Sequence, residues 1–424
     1  MTEFSNLRLS DEERAMHDGE AGPAARLAMR ILARVAPLYG ADHLIEITRA
    51  HIDGCILEGS AGLAFAERMA DRGAVRVPTS LNVISLDRRD WRAHGLPADY
   101  ADRARRLADA YLRMGATPSF TCAPYQTLPP PAFGEQIAWS ESNAVAFANS
   151  ALGARTNRYG DYLDICCALT GRAPAAGLHL TENRRATLVV RLVDIPPALF
   201  DRDDFYPVLG YLLGTLAGDQ IPAVVGLDAA PSEDRLKALL AAAATSGAVA
   251  LAHLVGITPE APTLAAALGG RAPERTLDVA LADLRAARAE LSTAADAALG
   301  AVAFGSPHCS LAECRELARL MAGCRKADRV KVFVTTSRAV RDLLERDGAL
   351  GTLRAFGATV TADTCIVVAP LLGDVAGALM TNSAKYAHYG PGILGVGAVF
   401  GSTADCVASA VAGRVVNEDG PWAT

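Results

Sequence analysis

Apolar residues along this chain fall into two alternating patterns, one with helical spacing and one of short continuous runs. Residues 23–37 carry Leu27, Ile31, Leu32 and Val35 at helical spacing, which predicts a long helix. Before it, Ser10-Asp11-Glu12-Glu13 has the form of a helix N-cap followed by an acidic first turn. The apolar stretch 44–50 leads into His51-Ile52-Asp53-Gly54 and the glycine-rich Glu58-Gly59-Ser60-Ala61-Gly62. A helix over 63–72 then gives way to the run 74–77 and to Pro78-Thr79-Ser80-Leu81-Asn82. The same alternation continues to the end of the chain. Strands are predicted over 188–193, 223–227, 249–255, 330–335 and 358–361, most of them followed by a helical pattern. Helix-then-strand order of this kind implies a multi-domain α/β protein with mostly parallel sheets.

A chain of 424 residues is too long for a single core. Stiff, proline-rich joints at Leu128-Pro129-Pro130-Pro131, Pro196-Pro197 and Thr258-Pro259-Glu260-Ala261-Pro262 suggest three regions, 1–130, 131–260 and 261–424. The longest uncharged run, 238–257, is broken by Thr245, Ser246, Gly247 and His253. It is better explained as a helix ending at Ser246-Gly247 and a strand over 248–255 than as a membrane span. A net charge of −6 leaves no electrostatic footprint for nucleic acid. Nine scattered cysteines without a secretion signal point to a reducing cytoplasm rather than a disulfide framework.

Three of those cysteines stand at junctions between an apolar run and a turn: Cys122 in Thr121-Cys122-Ala123-Pro124-Tyr125, Cys309 in Pro307-His308-Cys309-Ser310, and Cys365 in Asp363-Thr364-Cys365. In α/β folds such junctions carry ligand-binding loops. Three thiolates could hold an iron–sulfur cluster with one iron free to act on a substrate, or a mononuclear metal such as zinc. No CxxC pair is present, so the spacing alone favours ordinary buried thiols. Cys55, Cys166, Cys167, Cys314, Cys324 and Cys406 are assigned to the core.

Ser140-Glu141-Ser142-Asn143 opens a helical pattern over 144–152 and offers either a carboxylate cradle or simple capping. Arg155 and Arg158 follow that helix, as dipole partners or as a bidentate carboxylate clamp. A third cluster, Thr381-Asn382-Ser383-Ala384-Lys385-Tyr386-Ala387-His388-Tyr389-Gly390-Pro391-Gly392, places a lysine, two tyrosines and a histidine beside a glycine-flanked proline, either as a chemical site or as tyrosines packed at a turn.

Taken together these stretches resemble the large-subunit type of the aconitase X family over nearly the whole chain. The resemblance rests on residues 50–55, 78–83 and 121–125, on Trp139-Ser140-Glu141-Ser142-Asn143-Ala144, and on Gly153-Ala154-Arg155-Thr156-Asn157-Arg158. It continues through residues 305–310, 363–365 and 383–386. It implies an aconitase-like α/β/α architecture and an iron–sulfur cluster, two-iron or four-iron, on Cys122, Cys309 and Cys365. Lys385, Ser140 and Arg155 then take catalytic roles, and Ser142, Asn143, Arg158, His308 and Tyr386 bind substrate.

The chain ends at Thr424 with no second swivelling domain after Val416, so the resemblance implies a large subunit that works in a heteromer with a separate small one. In the superfamily the small domain supplies a serine thought to act as the base. The implied reaction is dehydration of a small hydroxy carboxylic acid. Bacterial members resemble cis-3-hydroxy-L-proline dehydratases and archaeal ones look like phosphomevalonate dehydratases; a composition resembling a high-GC bacterium favours the former. A cluster-bearing sensor subunit would keep the cysteines without needing Arg155, Arg158 and Lys385.

Overall fold

The computed structural model describes residues 7–294 and 298–423. It divides after Arg185 into two compact units, the second beginning at Ala186. The boundaries expected at 130 and 260 fall inside these units, because the prolines there are bound into the fold. Pro129 O accepts from Arg49 Nη1 (2.8 Å), and Ala261 is buried with Val189 and Ala223.

In the first unit, β1 (Leu44–Glu46) pairs antiparallel with β5 (Arg172–Pro174). Between them in sequence, β2 (Ala50–Ile52), β3 (Thr79–Leu81) and β4 (Ala138–Trp139) form a parallel sheet in the order β3-β2-β4. The helix Pro23–Val35 starts with proline at its first position, where no amide hydrogen is needed. It buries Ala24, Ala25, Ala28, Met29, Leu32 and Ala33. Leu27, Ile31 and Val35 are only half-buried, so the packed face lies one residue to the side of the one their spacing suggested. Alanines on the packed face let the helix approach Leu163–Thr170, whose residues, Cys166 and Cys167 included, are all buried.

The second unit contains two parallel sheets. One has the order β8-β7-β6-β9, from β6 (Leu188–Leu192), β7 (Pro222–Val225), β8 (His253–Leu254) and β9 (Arg275–Val279). The run 248–255 thus contributes only a two-residue strand. Beside this sheet the helices Phe205–Ala217 and Glu233–Ser246 cross closely at Gly210, where an added Cβ would stand 2.0 Å from Leu239 O. The other sheet comprises β10 (Leu299–Cys309), β11 (Lys331–Thr336), β12 (Thr359–Ala362), β13 (Ala378–Thr381) and β14 (Ala398–Phe400), in the order β12-β11-β10-β13-β14. Val302, Phe304, Val332, Val334, Met380 and Val399 of these strands join one buried cluster with the flanking helices. Among the described residues no helix is long and apolar enough to cross a membrane.

Candidate active site

The five-stranded sheet is wound in two directions. From β10 the chain steps outward to β11 and β12, then returns to place β13 and β14 on the other side. The crevice at the carboxyl ends of β10 and β13 is therefore a topological switch point, where open α/β sheets bind ligands. The ladder between β10 and β11 shifts between Phe304 and Cys309, and the intervening residues bulge from it. Gly305 makes the bulge possible: its φ is +106°, and a Cβ there would lie 2.3 Å from Thr335 O. A cavity of about 590 Å³ opens at this point, lined among others by Ser306, Cys309, Ser383, Lys385 and Lys237.

Cys309 ends β10, and its carbonyl accepts from Thr336 Oγ1 (2.6 Å). Ser310 then caps the helix Leu311–Met321 in a reciprocal pair with Glu313. His308, expected at the substrate, is instead buried with Nε2 donating to Thr364 O (3.1 Å). That bond joins the residue before Cys309 to the residue before Cys365, so the turns bearing the two thiols are fastened together. Burial pushes the Cys365 thiol up, while the amides of Val367 and Val368, the Lys385 ammonium and the Tyr386 hydroxyl favour its thiolate. Lys385 and Tyr386 thus share the Cys365 side of the site. Ser383 caps the helix Ala384–Tyr389 and donates to Ser306 O, tying the ends of β13 and β10. Cys309 is pushed well up, first by a hydrogen bond with Cys314 and then by burial; Lys237 acts in the opposite direction.

Lys237, which carries no signal in the sequence, is 2% exposed. Its Nζ donates to Glu313 Oε2 (2.5 Å), Asp234 Oδ1 (3.0 Å) and His308 O (3.3 Å), and Ser310 Oγ closes the ring onto Asp234 Oδ2 (2.7 Å). Burial opposes the ammonium, but Glu313 and Asp234 outweigh it and raise its pKa. Removing one partner of such a group leaves buried charge uncompensated. Lys237→Met is therefore expected to cost about 3–5 kcal/mol in urea unfolding, and a loss under about 1 kcal/mol would contradict this reading.

The first unit also has a switch point, at the carboxyl ends of β2 and β4. Cys122 lies at this edge: Thr121 N donates to Leu81 O (3.2 Å), and Asn143 Nδ2 donates to Cys122 O (2.6 Å). Asn143 Oδ1 in turn accepts from Tyr125 OH (2.9 Å). The helix Ser142–Ser150 is capped by Glu141, which accepts from Ala144 N (2.7 Å), and this leaves the buried Ser140 Oγ without a partner. Ser142 occupies the first turn, half-buried. Arg155 lies at the other end of β4, where Ile137 N donates to its carbonyl, and its Nη1 donates to His179 O (3.2 Å) and Thr181 Oγ1 (2.7 Å). Arg158 is exposed. The edge that holds Ser140 and Cys122 is thus not the place of the Arg155 guanidinium.

Asp53, one residue beyond β2, is pushed up to about 8, first by burial and then by Glu141 and Asp161. In the unfolded chain its carboxyl titrates near 3.8, so between about 4 and 8 folding takes up a proton and stability falls as pH rises. Asp53→Asn is expected to raise the Tm more at pH 8 than at pH 4. An equal change at both values would contradict the assigned shift.

All nine cysteines are free thiols, and all but Cys324 are buried; the core assignment of Cys324 is corrected, since it follows the helix Leu311–Met321 in an exposed turn. Among the described residues no three His, Cys, Asp or Glu side chains stand close enough together to hold a metal ion.

Three family models match in succession: the aconitase X first domain over residues 6–182, the second over 186–289 and the third over 299–412. The chain is 53% identical over 411 residues to a cis-3-hydroxy-L-proline dehydratase of Pseudomonas aeruginosa, covering 96% of this chain and 70% of that protein. It is 39% identical to a phosphomevalonate dehydratase large subunit of Methanothermobacter thermautotrophicus, covering 94% of this chain and 98% of the other. The holo-form crystal structure of Thermococcus kodakaraensis aconitase X superposes with a TM-score of 0.85 at 32% identity, covering 95% of this chain and 100% of that one.

Proposed function

Because this chain belongs to the aconitase X family, we propose that it is a hydro-lyase that dehydrates cis-3-hydroxy-L-proline to Δ1-pyrroline-2-carboxylate. The observation that carries the reaction class is that Cys309 and Lys385 line the β10–β13 crevice while Cys365, on a turn bonded to that of Cys309, feels the charge of Lys385. The substrate follows from the 53% identity to a dehydratase of that compound.

Membership of the family implies an iron–sulfur cluster. Soft thiols at Cys309 and Cys365, on turns bonded to each other, would hold it with Cys122 as the third ligand, although the described residues do not gather three such donors in this structure. When bound, an iron without a protein ligand supplies Lewis acidity toward the departing hydroxyl.

The protein's own groups do the rest. Lys385 presents an ammonium to the substrate carboxylate and so stabilises charge that develops when the α-proton is lost. Tyr386, buried with its hydroxyl 3.2 Å from Thr335 Oγ1 and hydrogen-bonded to the Cys365 sulfur, holds that thiolate in place. The first product is the ring enamine, which tautomerises to the pyrroline.

A separate small subunit supplying the base fits relatives whose names specify a large subunit. Mixing this chain with such a partner is expected to raise pyrroline formation by at least ~10²-fold, the scale of a general base. Full activity of the chain alone would remove the two-subunit reading.

The cofactor is tested by iron, zinc and acid-labile sulfide analysis of anaerobically purified protein, with its visible spectrum. Iron and sulfide together with a broad visible absorbance support the cluster. Zinc, or iron without sulfide, would overturn it in favour of a mononuclear site.

A further inference from the structure

Cys309 ends β10 and lines the cavity, whereas Cys314 is a fully buried core residue that the elimination chemistry does not use. The helix Leu311–Met321 makes neighbours of the two. Its N-cap is Ser310, so Cys309 stands one residue before the cap and Cys314 is the fourth residue of the helix. Side chains at those two places meet across the first turn, usually as a hydrophobic staple. Here both are sulfur, and a hydrogen bond joins the thiols. Both also belong to the buried cluster that contains Val302, Leu317 and Val334. As packing, the pair amounts to two small apolar side chains. As chemistry, it is a dithiol.

The backbone around this dithiol is already fixed. Ser310 and Glu313 cap each other reciprocally, and Cys314 N donates to Ser310 O (3.0 Å). Thr336 Oγ1 holds the Cys309 carbonyl (2.6 Å). Closing the two sulfurs to a bond of about 2.05 Å is thus left to the side-chain torsions. Cys166 and Cys167 lack this option. They are consecutive on a helix and point in different directions, and consecutive Cα atoms about 3.8 Å apart fall short of the usual span of a disulfide. Access separates the two thiols of the pair. The cavity of about 590 Å³ lets a small oxidant meet Cys309, and Cys314 does not line it.

We propose that Cys314 is the resolving thiol of Cys309, pairing with it as a disulfide when hydrogen peroxide reaches the chain before its cluster is in place. In the first step the Cys309 sulfur attacks one peroxide oxygen and the O–O bond breaks. Cys309 becomes a sulfenic acid, and the released hydroxide takes the thiol proton and leaves as water. The Cys314 sulfur then attacks the Cys309 sulfur. The S–O bond breaks, and the hydroxyl departs with the Cys314 proton as a second water. Two thiols lose two electrons in all, and one peroxide is reduced to two waters. The bond to Cys314 and burial keep the Cys309 thiol protonated, so the first step is slow. The second is intramolecular and outruns a further attack by peroxide. The disulfide stands on the two thiols alone, whereas its consequence rests on the cluster reading. A Cys309 tied to Cys314 has no thiolate to give to iron, yet a dithiol can return it. The sulfinic acid that peroxide would otherwise produce is beyond such rescue.

The test uses the full chain without its cluster, exposed to hydrogen peroxide, blocked with iodoacetamide and digested with trypsin. Cys309 and Cys314 lie on one tryptic peptide, residues 289–315, so their bond reads by mass spectrometry as a loss of two hydrogens from it. Anaerobic uptake of iron and sulfide is measured in parallel, before and after dithiothreitol. The oxidised wild type is expected to carry the bond, to take up only background iron, and to regain normal uptake after the dithiol. Cys314→Ala should load normally when untreated. After peroxide it should carry two added oxygens on Cys309 and lose uptake that dithiothreitol does not restore. The proposal is overturned if wild-type Cys309 shows no bond to Cys314, whether it survives as a thiol, becomes a sulfinic acid or pairs elsewhere. A Cys314→Ala chain whose loss dithiothreitol reverses overturns it too. Should Cys314→Ala not fold, the wild-type peptide and its recovery still decide. A bond that forms while iron uptake stays normal refutes Cys309 as a ligand, and with it the protective role. A chain that takes up no iron at any stage fails the cluster reading, and the peptide alone then decides the pairing.

Discussion

Cys309→Ala is expected to abolish dehydration, with iron and sulfide content falling to background, while the protein stays folded. The side chain is small, and it ends a strand whose backbone is held independently by Thr336 Oγ1 on its carbonyl and by the Ser310–Glu313 cap. Its loss should cost only about 1 kcal/mol of packing. A cluster needs its thiolates as bonds, so the effect on loading is all or nothing, and Cys122→Ala and Cys365→Ala should behave alike. Cys166→Ala and Cys406→Ala remove equally buried sulfur away from these turns and should leave iron content and activity near those of the wild type. Iron analysis with a thermal melt separates the two classes. A Cys309→Ala protein with near-normal iron and turnover would falsify the ligand assignment.

Lys385→Met should reduce kcat/KM by about 10²–10⁴-fold with iron, sulfide and the visible spectrum unchanged. The side chain lines the cavity half-buried and acts on Cys365 through charge, whereas the turn that carries Cys365 is held by its own amides and by His308. Methionine keeps the length and apolar bulk, so the effect isolates the ammonium. Loss of the spectrum in this variant would instead make Lys385 part of the scaffold of the cluster.

Much of the architecture was legible in the pattern of apolar residues. Leu188–Leu192 and Lys331–Thr336 are rich in β-branched residues and read clearly as strands. The strand that matters most, Leu299–Cys309, did not. Only Val302 among its eleven residues is β-branched, its glycines and Pro307 carry little β-propensity, and it owes its place to parallel neighbours on both sides. Cys309 and Cys365 could still be picked out, because junctions between apolar runs and turns are local features.

What could not be seen locally was the company those residues keep. Lys237 and Glu313 are 76 positions apart, and Asp53 meets Asp164 across 111. Each looks like an ordinary charge on a helix or at a strand end until the fold brings them together. His308 drew attention for the opposite reason: its motif marked it as chemical, and the structure gives it to Thr364 O. The capping role expected near Ser140 fell to Glu141, and this is what leaves the serine hydroxyl unspent.

The most direct test of the proposed activity is the product formed from cis-3-hydroxy-L-proline by the anaerobically loaded protein together with a small aconitase X partner. Pyrroline formation can be followed by condensation with an aromatic amine, with 5-phosphomevalonate as the competing substrate. A hydroxyproline dehydratase should show steady turnover of the hydroxyproline, dependence on the loaded cluster, and no turnover of the phosphorylated acid. Turnover of 5-phosphomevalonate instead, or no dehydration of either compound by the fully loaded complex, would contradict that assignment.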